Sequence, residues 1–204
     1  MAPRNPFALP SGVLGRLAGW VMGRDDAPHR EVAALLAPTP GATVCEVGCG
    51  PGQLLVLLAA ADPALRVCGV DPSPVMLRQA RIRADRAGVA KRVDLLPGTA
   101  DALPLPDGAV DYVVAVNSAA IWPDLTAGVR EAARVLCPGG TAVIAWHAAG
   151  SPNPVQRRLA RPDAWWDRTL DVMRSFFAEV SRQDLPRLTT AVGVKPAGTG
   201  PVTT

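Results

Sequence analysis

The chain has 204 residues, of which 49% are hydrophobic and 19% are charged, a composition that excludes a disordered chain. Domains usually have about 100–200 residues, so this length predicts one domain. The formal net charge of +3 is too small to require or to exclude an anionic partner. The longest apolar run, 54–61, is too short to cross a bilayer.

Hydrophobic periodicity predicts strands and helices that alternate along most of the chain. The predicted helices are 12–23, with Ser11 as N-cap, then 27–37, 53–61, 74–87, 124–136 and 163–175. The predicted strands are 43–47, 65–70, 92–96, 111–116, 141–146, 177–181 and 189–194. Residues 138–140 (Pro-Gly-Gly) are expected to end the fifth helix, and residues 148–162 are expected to form a loop. This alternation favours a parallel sheet with helices on both faces.

The first predicted strand runs into a glycine-rich turn, VCEVGCGPG at 44–52. The glycines follow the spacing G-x-G-x-G, and Gln53 stands where the dinucleotide fingerprint has its third glycine. Glu46 lies inside the apolar strand, where a carboxylate is costly to bury without a donor. It would suit an amine-bearing ligand and would repel a pyrophosphate. Both features disfavour a nicotinamide dinucleotide.

The second predicted strand ends at Asp71, 19 residues after Gly52. From the tip of that strand a carboxylate can accept hydrogen bonds from a ribose diol. The Asp-Pro-Ser sequence at 71–73 is equally typical of a helix N-cap. Both interpretations stay open at this point.

Three more segments complete an ordered set of motifs: GTADALPLPD at 98–107, VNS at 116–118 and RVLCPGG at 134–140. From Thr43 to Trp146 this set resembles the class I S-adenosylmethionine-dependent methyltransferases. The nearest branch is the type 11 group, which includes enzymes similar to the ubiquinone and menaquinone methyltransferases. The resemblance covers about half of the chain.

The resemblance implies an α/β fold with a doubly wound, mostly parallel, seven-stranded sheet in the order 3-2-1-4-5-7-6. It implies one domain, with an N-terminal helical lid at 1–40, a cofactor-binding core at 41–147, and a short insert and the last two strands at 148–204. The implied cofactor is S-adenosyl-L-methionine, the implied acceptor is a small molecule, and no metal is expected.

The resemblance also implies which residues hold the cofactor. Those expected at its methionyl part are Glu46, Gly48, Cys49, Gly50 and Gly52. Those expected at the ribose and adenine are Asp71, Pro72, Met76, Ala100, Asp101 and Ala102, and Asn117 and Ser118 are expected near the reacting methyl. Transfer by in-line displacement then depends chiefly on proximity and orientation. A general base is not required, although His147 is a candidate and His29 a weaker one.

Other functions have weaker support in the sequence. A non-catalytic relative that binds adenosylmethionine or adenosylhomocysteine would carry the same residues, and a nicotinamide-dependent oxidoreductase is disfavoured by the glycine spacing. The basic stretch from Arg78 to Arg92 could contact nucleic acid, but without interleaved aromatic residues a solvated helix face is the favoured interpretation. The tryptophans Trp20, Trp122, Trp165 and Trp166 either line an apolar acceptor pocket or pack in the core.

The cysteines and the N-terminal residues indicate the cellular compartment of the protein. Cys45, Cys49, Cys68 and Cys137 show no metal-binding spacing, which predicts reduced, buried thiols. Arg16 interrupts the N-terminal apolar stretch and no cleavage site follows, so we expect a cytoplasmic protein. We expect a monomer or a homodimer without a membrane span.

Overall fold

A computed structural model describes residues 26–197. The helices are α1 (Ala27–Leu36), α2 (Gln53–Ala61), α3 (Pro74–Arg86), α4 (Leu125–Val135), α5 (Pro154–Leu159) and α6 (Asp163–Arg174), with short 3-10 turns at Ala90–Arg92 and Ala119–Ile121. The strands are β1 (Thr43–Val47), β2 (Arg66–Asp71), β3 (Val93–Pro97), β4 (Val110–Val116), β5 (Leu136–His147), β6 (Glu179–Asp184) and β7 (Leu188–Val194). The predicted helix at 12–23, with Ser11 and Trp20, lies outside the described residues. Among the helices of 26–197, none has the length and apolarity needed to cross a membrane.

All seven strands form one sheet in the order β3-β2-β1-β4-β5-β7-β6. Strands β1 to β5 run parallel to one another, whereas β7 is antiparallel to both β5 and β6. The predicted fold class and strand order are therefore confirmed. A parallel strand pair requires a crossover connection, which explains why helices separate the first strands along the chain.

The helix boundaries follow from capping residues that the sequence displays. Ser73 accepts a hydrogen bond from the Met76 N–H at the start of α3, and Pro74 occupies the first turn, where its missing N–H costs nothing. Asp124 caps α4 in the same way by accepting from the Ala127 N–H. These signals explain why the predicted bounds agree with the structure to within one or two residues at these helices.

The prediction that residues 148–162 form a loop is wrong, because they contain α5. Asn153 caps this short helix by accepting from the N–H groups of Val155 and Gln156, and Pro154 occupies the first turn. The buried Ser151 hydroxyl donates to Gln156 Oε1 over 2.8 Å and ties the helix to the preceding turn. Asparagine followed by proline is a helix-start signal that the sequence contained.

The prediction that residues 138–140 separate α4 from β5 is also wrong, because β5 already begins at Leu136. Leu136 pairs with Val110 and Thr141 with Tyr112, so the intervening residues form an irregular register shift within the strand. Lys195, the residue directly after β7, holds this bulge. Its backbone N–H donates to the Gly140 carbonyl, and its side chain donates to the Leu136 carbonyl. Pairing from a distant segment therefore extends the strand.

Apolar side chains cover both faces of the sheet. On one face α4 and α6 pack against the sheet through buried residues such as Val129 and Trp166. On the other face α1, α2 and α3 pack through residues such as Val32, Leu54 and Ala84. With both faces covered, the strand ends and their loops are the parts of the sheet open to a ligand.

Gly69, in the middle of β2, allows α2 and the first turn to approach the sheet. A Cβ at this position would lie 2.5 Å from Leu55 Cδ1 and 2.7 Å from Cys49 Sγ. We expect Gly69→Ala to lower the free energy of unfolding by about 1–3 kcal/mol, because overpacking forces a backbone or rotamer shift. Chemical denaturation measures this. Gly150, with open space at its Cβ position, is the control, and Gly150→Ala should stay within about 0.5 kcal/mol. Equal effects of both substitutions would contradict the prediction.

Candidate functional site

The predicted site residues lie at one edge of the sheet. Gly48 follows β1, Asp71 ends β2, Asn117 follows β4 and His147 ends β5. Because these four strands are parallel, their carboxyl ends meet at the same edge. In open α/β sheets this edge is where ligands bind.

The turn after β1 requires glycine at its first position. Gly48 has φ +73°, and a Cβ there would lie 2.5 Å from Ser118 Cβ. Its N–H and that of Cys49 both donate to the Val70 carbonyl, over 2.7 and 3.1 Å. The end of β2 therefore fixes the path of the glycine turn.

Asp71 connects this turn to the start of α3. Its Oδ2 accepts from the Gly50 N–H over 2.9 Å, and its Oδ1 accepts from the Ser73 N–H over 2.8 Å. The helix cap itself is Ser73, so Asp71 is not the N-cap that the sequence left open. Burial raises the pKa of Asp71, and the two backbone N–H groups act in the opposite direction. Each oxygen keeps a further lone pair, so the carboxylate can still accept from a hydroxyl.

Glu46 is the most unusual polar residue of the site. Its side chain is 2% exposed, and among residues 26–197 its Oε2 has no hydrogen-bond partner. Burial raises the pKa of Glu46 well above its usual range, and the negative charge of Asp71 raises it further. A buried carboxylate oxygen without a donor is costly. It is therefore a place where a bound amine or ammonium group would be stabilised.

Asn117 and Ser118 tie the strand ends together. Asn117, at φ +52°, accepts at Oδ1 from the His147 N–H over 3.1 Å. The Ser118 hydroxyl donates to the Val47 carbonyl over 2.6 Å and joins β4 to β1. The sequence did not predict these structural contacts. A position of both residues next to a reacting methyl stays a prediction.

The residues expected at the adenine lie in and beside the loop between β3 and β4. In this 98–108 loop Ala100 is buried, whereas Asp101 and Ala102 are exposed. Met76 is buried in the first turn of α3, and the preceding Pro72 is exposed. Their contacts with a base stay predictions.

Two polar residues to which the sequence analysis gave no role hold the 98–108 loop. Glu131 and Arg134, both on α4, bond to each other and to the loop backbone at Leu103. The signals in the sequence were their i, i+3 spacing on the polar side of an amphipathic helix and the place of Arg134 at the start of the RVLCPGG segment.

The histidines and tryptophans are partly explained by packing. His147 is half-buried at the end of β5, where it lies edge-on to Trp146 with ring centroids 6.0 Å apart, and His29 is half-buried in α1. Trp166 is 1% exposed and packs edge-on against Trp165. Trp122 packs so tightly on α4 that a Cβ at Gly128 would lie 2.4 Å from its ring. These contacts favour core packing for Trp122 and Trp166.

Half of the basic stretch from Arg78 to Arg92 is engaged with the chain itself. Arg81 donates to the carbonyls of Ala90 and Val93. Arg83 donates to the Pro51 carbonyl in the glycine turn, over 3.0 Å, and Arg92 donates to Asp62. Arginines that bind backbone carbonyls are less available to phosphates, which argues against a nucleic-acid surface here.

The cysteines are free, and three of the four fit the prediction. Cys45, Cys49 and Cys68 are buried, and Cys45 pairs in register with Cys68 on the neighbouring strand. Burial raises the pKa of Cys49, as expected for inert thiols. Cys137 is only half-buried, contrary to the prediction. It lies in the bulge at the start of β5, where its thiol donates to Asp111 Oδ1 over 3.4 Å.

Comparison with known proteins gives the family. Residues 44–140 match the family described as a methyltransferase domain. The uncharacterised methyltransferase YdaC of Bacillus subtilis is 33% identical over 129 residues, which is 63% of this chain and 69% of that protein. The chain belongs to the class I S-adenosylmethionine-dependent methyltransferases. The resemblance seen in the sequence motifs is confirmed, and the cofactor of this family is S-adenosyl-L-methionine.

Other relatives agree with this assignment. A phosphatidylethanolamine N-methyltransferase of Cereibacter sphaeroides is 34% identical over 166 residues, 80% of this chain and 77% of that protein. The crystal structure of a SAM-dependent methyltransferase from Aquifex aeolicus has the same fold with a TM-score of 0.72 at 17% identity, covering 88% of this chain and 97% of that one. The match spans 47% of an uncharacterised methyltransferase of Mycobacterium tuberculosis, less than half of its length.

The site residues fit this cofactor. The unpartnered Oε2 of Glu46 suits an ammonium group, and Asp71 has remaining acceptor capacity for ribose hydroxyls. The glycine turn at 48–52 contains no Lys or Arg, which suits a cofactor without phosphates. The Glu46 carboxylate would repel a pyrophosphate, which argues against a nicotinamide dinucleotide.

The raised pKa of Glu46 predicts how stability changes with pH in the absence of ligand. The folded state keeps the Glu46 proton to a higher pH than the unfolded state does. Stability is therefore greatest below the ordinary glutamate pKa and falls as pH rises toward the raised folded value. Glu46→Gln should remove this fall and be more stable than the wild type above that pH. Urea denaturation across pH measures both proteins. A wild-type and a variant profile of the same shape would contradict the prediction.

Proposed function

We propose that this protein transfers a methyl group from S-adenosyl-L-methionine to a small-molecule acceptor. The observation that carries the proposal is the buried Glu46 carboxylate. Its Oε2 has no hydrogen-bond partner among residues 26–197, and the negative charge of Asp71 adds to the rise in its pKa. The fold tolerates this arrangement at a cost in free energy. A ligand that brings a positive charge and hydroxyl groups to the two carboxylates offsets that cost.

The chain's own residues would bind and orient the cofactor. Glu46 would accept from the amino group, Asp71 from the ribose hydroxyls, and Asp101 from the amino group of the adenine. When bound, the cofactor supplies a methyl group on a positively charged sulfur, which is already activated for transfer. The protein therefore contributes mainly orientation and exclusion of water. His147, at the end of β5, is the candidate to accept a proton from the acceptor if one must leave.

Three observations support a small acceptor. The phosphatidylethanolamine N-methyltransferase matches 80% of this chain, so a related sequence of similar length acts on a lipid amine. Two of the four arginines of α3 that could meet a nucleic acid, Arg81 and Arg83, donate to backbone carbonyls instead. The segment between β5 and β6 contains only the helices α5 and α6. Any part of the chain that covers the acceptor there is therefore short, which suits a small acceptor.

Isothermal calorimetry and a product assay test the proposal together. The protein should bind S-adenosylmethionine and S-adenosylhomocysteine and should not bind NADH. With a panel of amine, phenol, quinone and lipid acceptors, mass spectrometry should detect S-adenosylhomocysteine together with a methylated acceptor. Binding without any product across the panel would favour a non-catalytic adenosylmethionine-binding relative. Tight NADH binding without adenosylmethionine binding would overturn the proposal.

Asp71 should contribute to cofactor affinity beyond its structural role. We expect Asp71→Ala to weaken S-adenosylhomocysteine binding by about 10- to 150-fold, because charge-assisted hydrogen bonds are worth about 1.5–3 kcal/mol. Calorimetry on the folded variant measures this. Asp62 is a matched control, since its Oδ1 accepts from the Ala64 N–H with the same i to i+2 geometry, in the turn that precedes β2. Unchanged affinity in Asp71→Ala, or an equal loss in Asp62→Ala, would remove Asp71 from the site.

A further inference from the structure

The 98–108 loop is held in place by side chains from another element. Glu131 Oε2 on α4 accepts from the Leu103 N–H over 2.9 Å. Arg134, one turn further along α4, donates to the carbonyls of Leu103 and Leu105 over 3.1 and 2.9 Å. The backbone N–H and the backbone carbonyl of Leu103 are thus both bound by the Glu131–Arg134 ion pair. The loop's own contacts are fewer, among them a bridge between Thr99 and Ala102.

The ion pair itself is rigid. Arg134 forms a bidentate pair with Glu131, with Nε to Oε1 and an Nη to Oε2 both at 2.7 Å. A further Nη bond of 2.7 Å reaches Asp107 at the far end of the loop. The side chains of Arg134 and Glu131 are only 30% and 14% exposed. Charge-assisted bidentate pairs of this kind fix geometry as well as adding energy.

The bonds from Glu131 and Arg134 to the Leu103 backbone also affect the position of the neighbouring loop residues. Leu103 is buried in the core, two residues after the exposed Asp101. The position of the Leu103 backbone therefore constrains where the adjoining Asp101 and Ala102 lie. Nothing else among the described residues bonds the loop between 101 and 107 to α4 through side chains except this pair and its Asp107 contact.

We propose that Glu131 and Arg134 are positioning residues that set the adenine selectivity of the site by holding the backbone from which Asp101 is presented. The proposal rests on the proposed function, because it assumes that Asp101 accepts from the amino group of the base. Neither residue contacts the cofactor itself. A lysine at 134 could not reproduce the role, since one ammonium group cannot bind Glu131, Leu103 and Leu105 with the geometry of the guanidinium.

The test compares two ligands that differ at the 6-position and at N1 of the base. S-inosylhomocysteine carries a carbonyl oxygen where S-adenosylhomocysteine carries the amino group, and its N1 carries a proton. Asp101 would therefore face an acceptor at the 6-position and lose the hydrogen bond that it accepts from the amino group. Calorimetry should show that the wild type prefers the adenosyl ligand by about 10-fold or more, the value of a hydrogen bond to a charged group. Arg134→Lys should weaken the adenosyl ligand by about 3- to 10-fold and leave the inosyl ligand within about twofold.

Matched variants separate positioning from general stability. Arg174 forms the same i, i+3 pair with Asp171 at 2.7 Å but lies on the exposed face of α6. Arg174→Lys should therefore leave both affinities unchanged. Glu131→Gln, which keeps an acceptor for the Leu103 N–H, gives the same comparison if Arg134→Lys does not fold. In an Asp101→Ala background, Arg134→Lys should cause no further loss of selectivity, because the two residues act through one contact.

The outcomes are distinguishable. If the wild type is selective and Arg134→Lys and Glu131→Gln keep that selectivity while melting earlier, the two residues are purely structural and the positioning proposal is overturned, whereas the proposed function stands. If the wild type binds both ligands equally, Asp101 does not distinguish the two bases and the positioning proposal is overturned as well. If the wild type binds neither ligand, the proposed function fails and this proposal fails with it.

Discussion

The carboxylate of Asp71 joins the two turns on which the candidate site is built. It accepts from Gly50 in the turn after β1 and from Ser73 at the start of α3, so one side chain sets the distance between them. Glu46, whose Oε2 has no partner among residues 26–197, lies within range of its charge. Two buried carboxylates this close are unfavourable without a ligand. A ligand that carries a cation and hydroxyl groups would offset this cost.

Contacts between neighbouring strand ends complete the edge of the sheet. Ser118 joins β4 to β1 through the Val47 carbonyl, and Asn117 joins β4 to β5 through the His147 N–H. Such side chains replace the ladder bonds that parallel strands lose where they end. The 98–108 loop follows the same rule, since Glu131 and Arg134 satisfy its backbone groups from α4. A ligand placed on this edge meets a frame of polar side chains with few free rotations.

The sequence predicted the elements wherever a local signal was strong. The cap at Ser73 and the apolar run of β1 gave bounds that the structure confirms to within one or two residues. Helix α5 was missed although Asn153 and Pro154 signalled its start. The early start of β5 could not be predicted from local sequence, because it depends on pairing between Gly140 and Lys195, which is far along the chain. Of the site, Glu46 and Asp71 could be chosen from the sequence because a carboxylate inside or at the tip of an apolar strand is costly.

The sequence by itself determined the fold class, the strand order through the family resemblance, and the methyltransferase family, because the glycine turn and the acidic strand tips are local patterns with fixed spacing. Only the tertiary structure decided how these residues are used. It showed that Asp71 braces two turns while Ser73 is the cap, that one oxygen of Glu46 has no partner among the described residues, and that an ion pair on α4 holds the 98–108 loop. These facts depend on which groups meet across the sheet, and hydrogen bonds between residues 21 to 31 positions apart leave no trace in local periodicity.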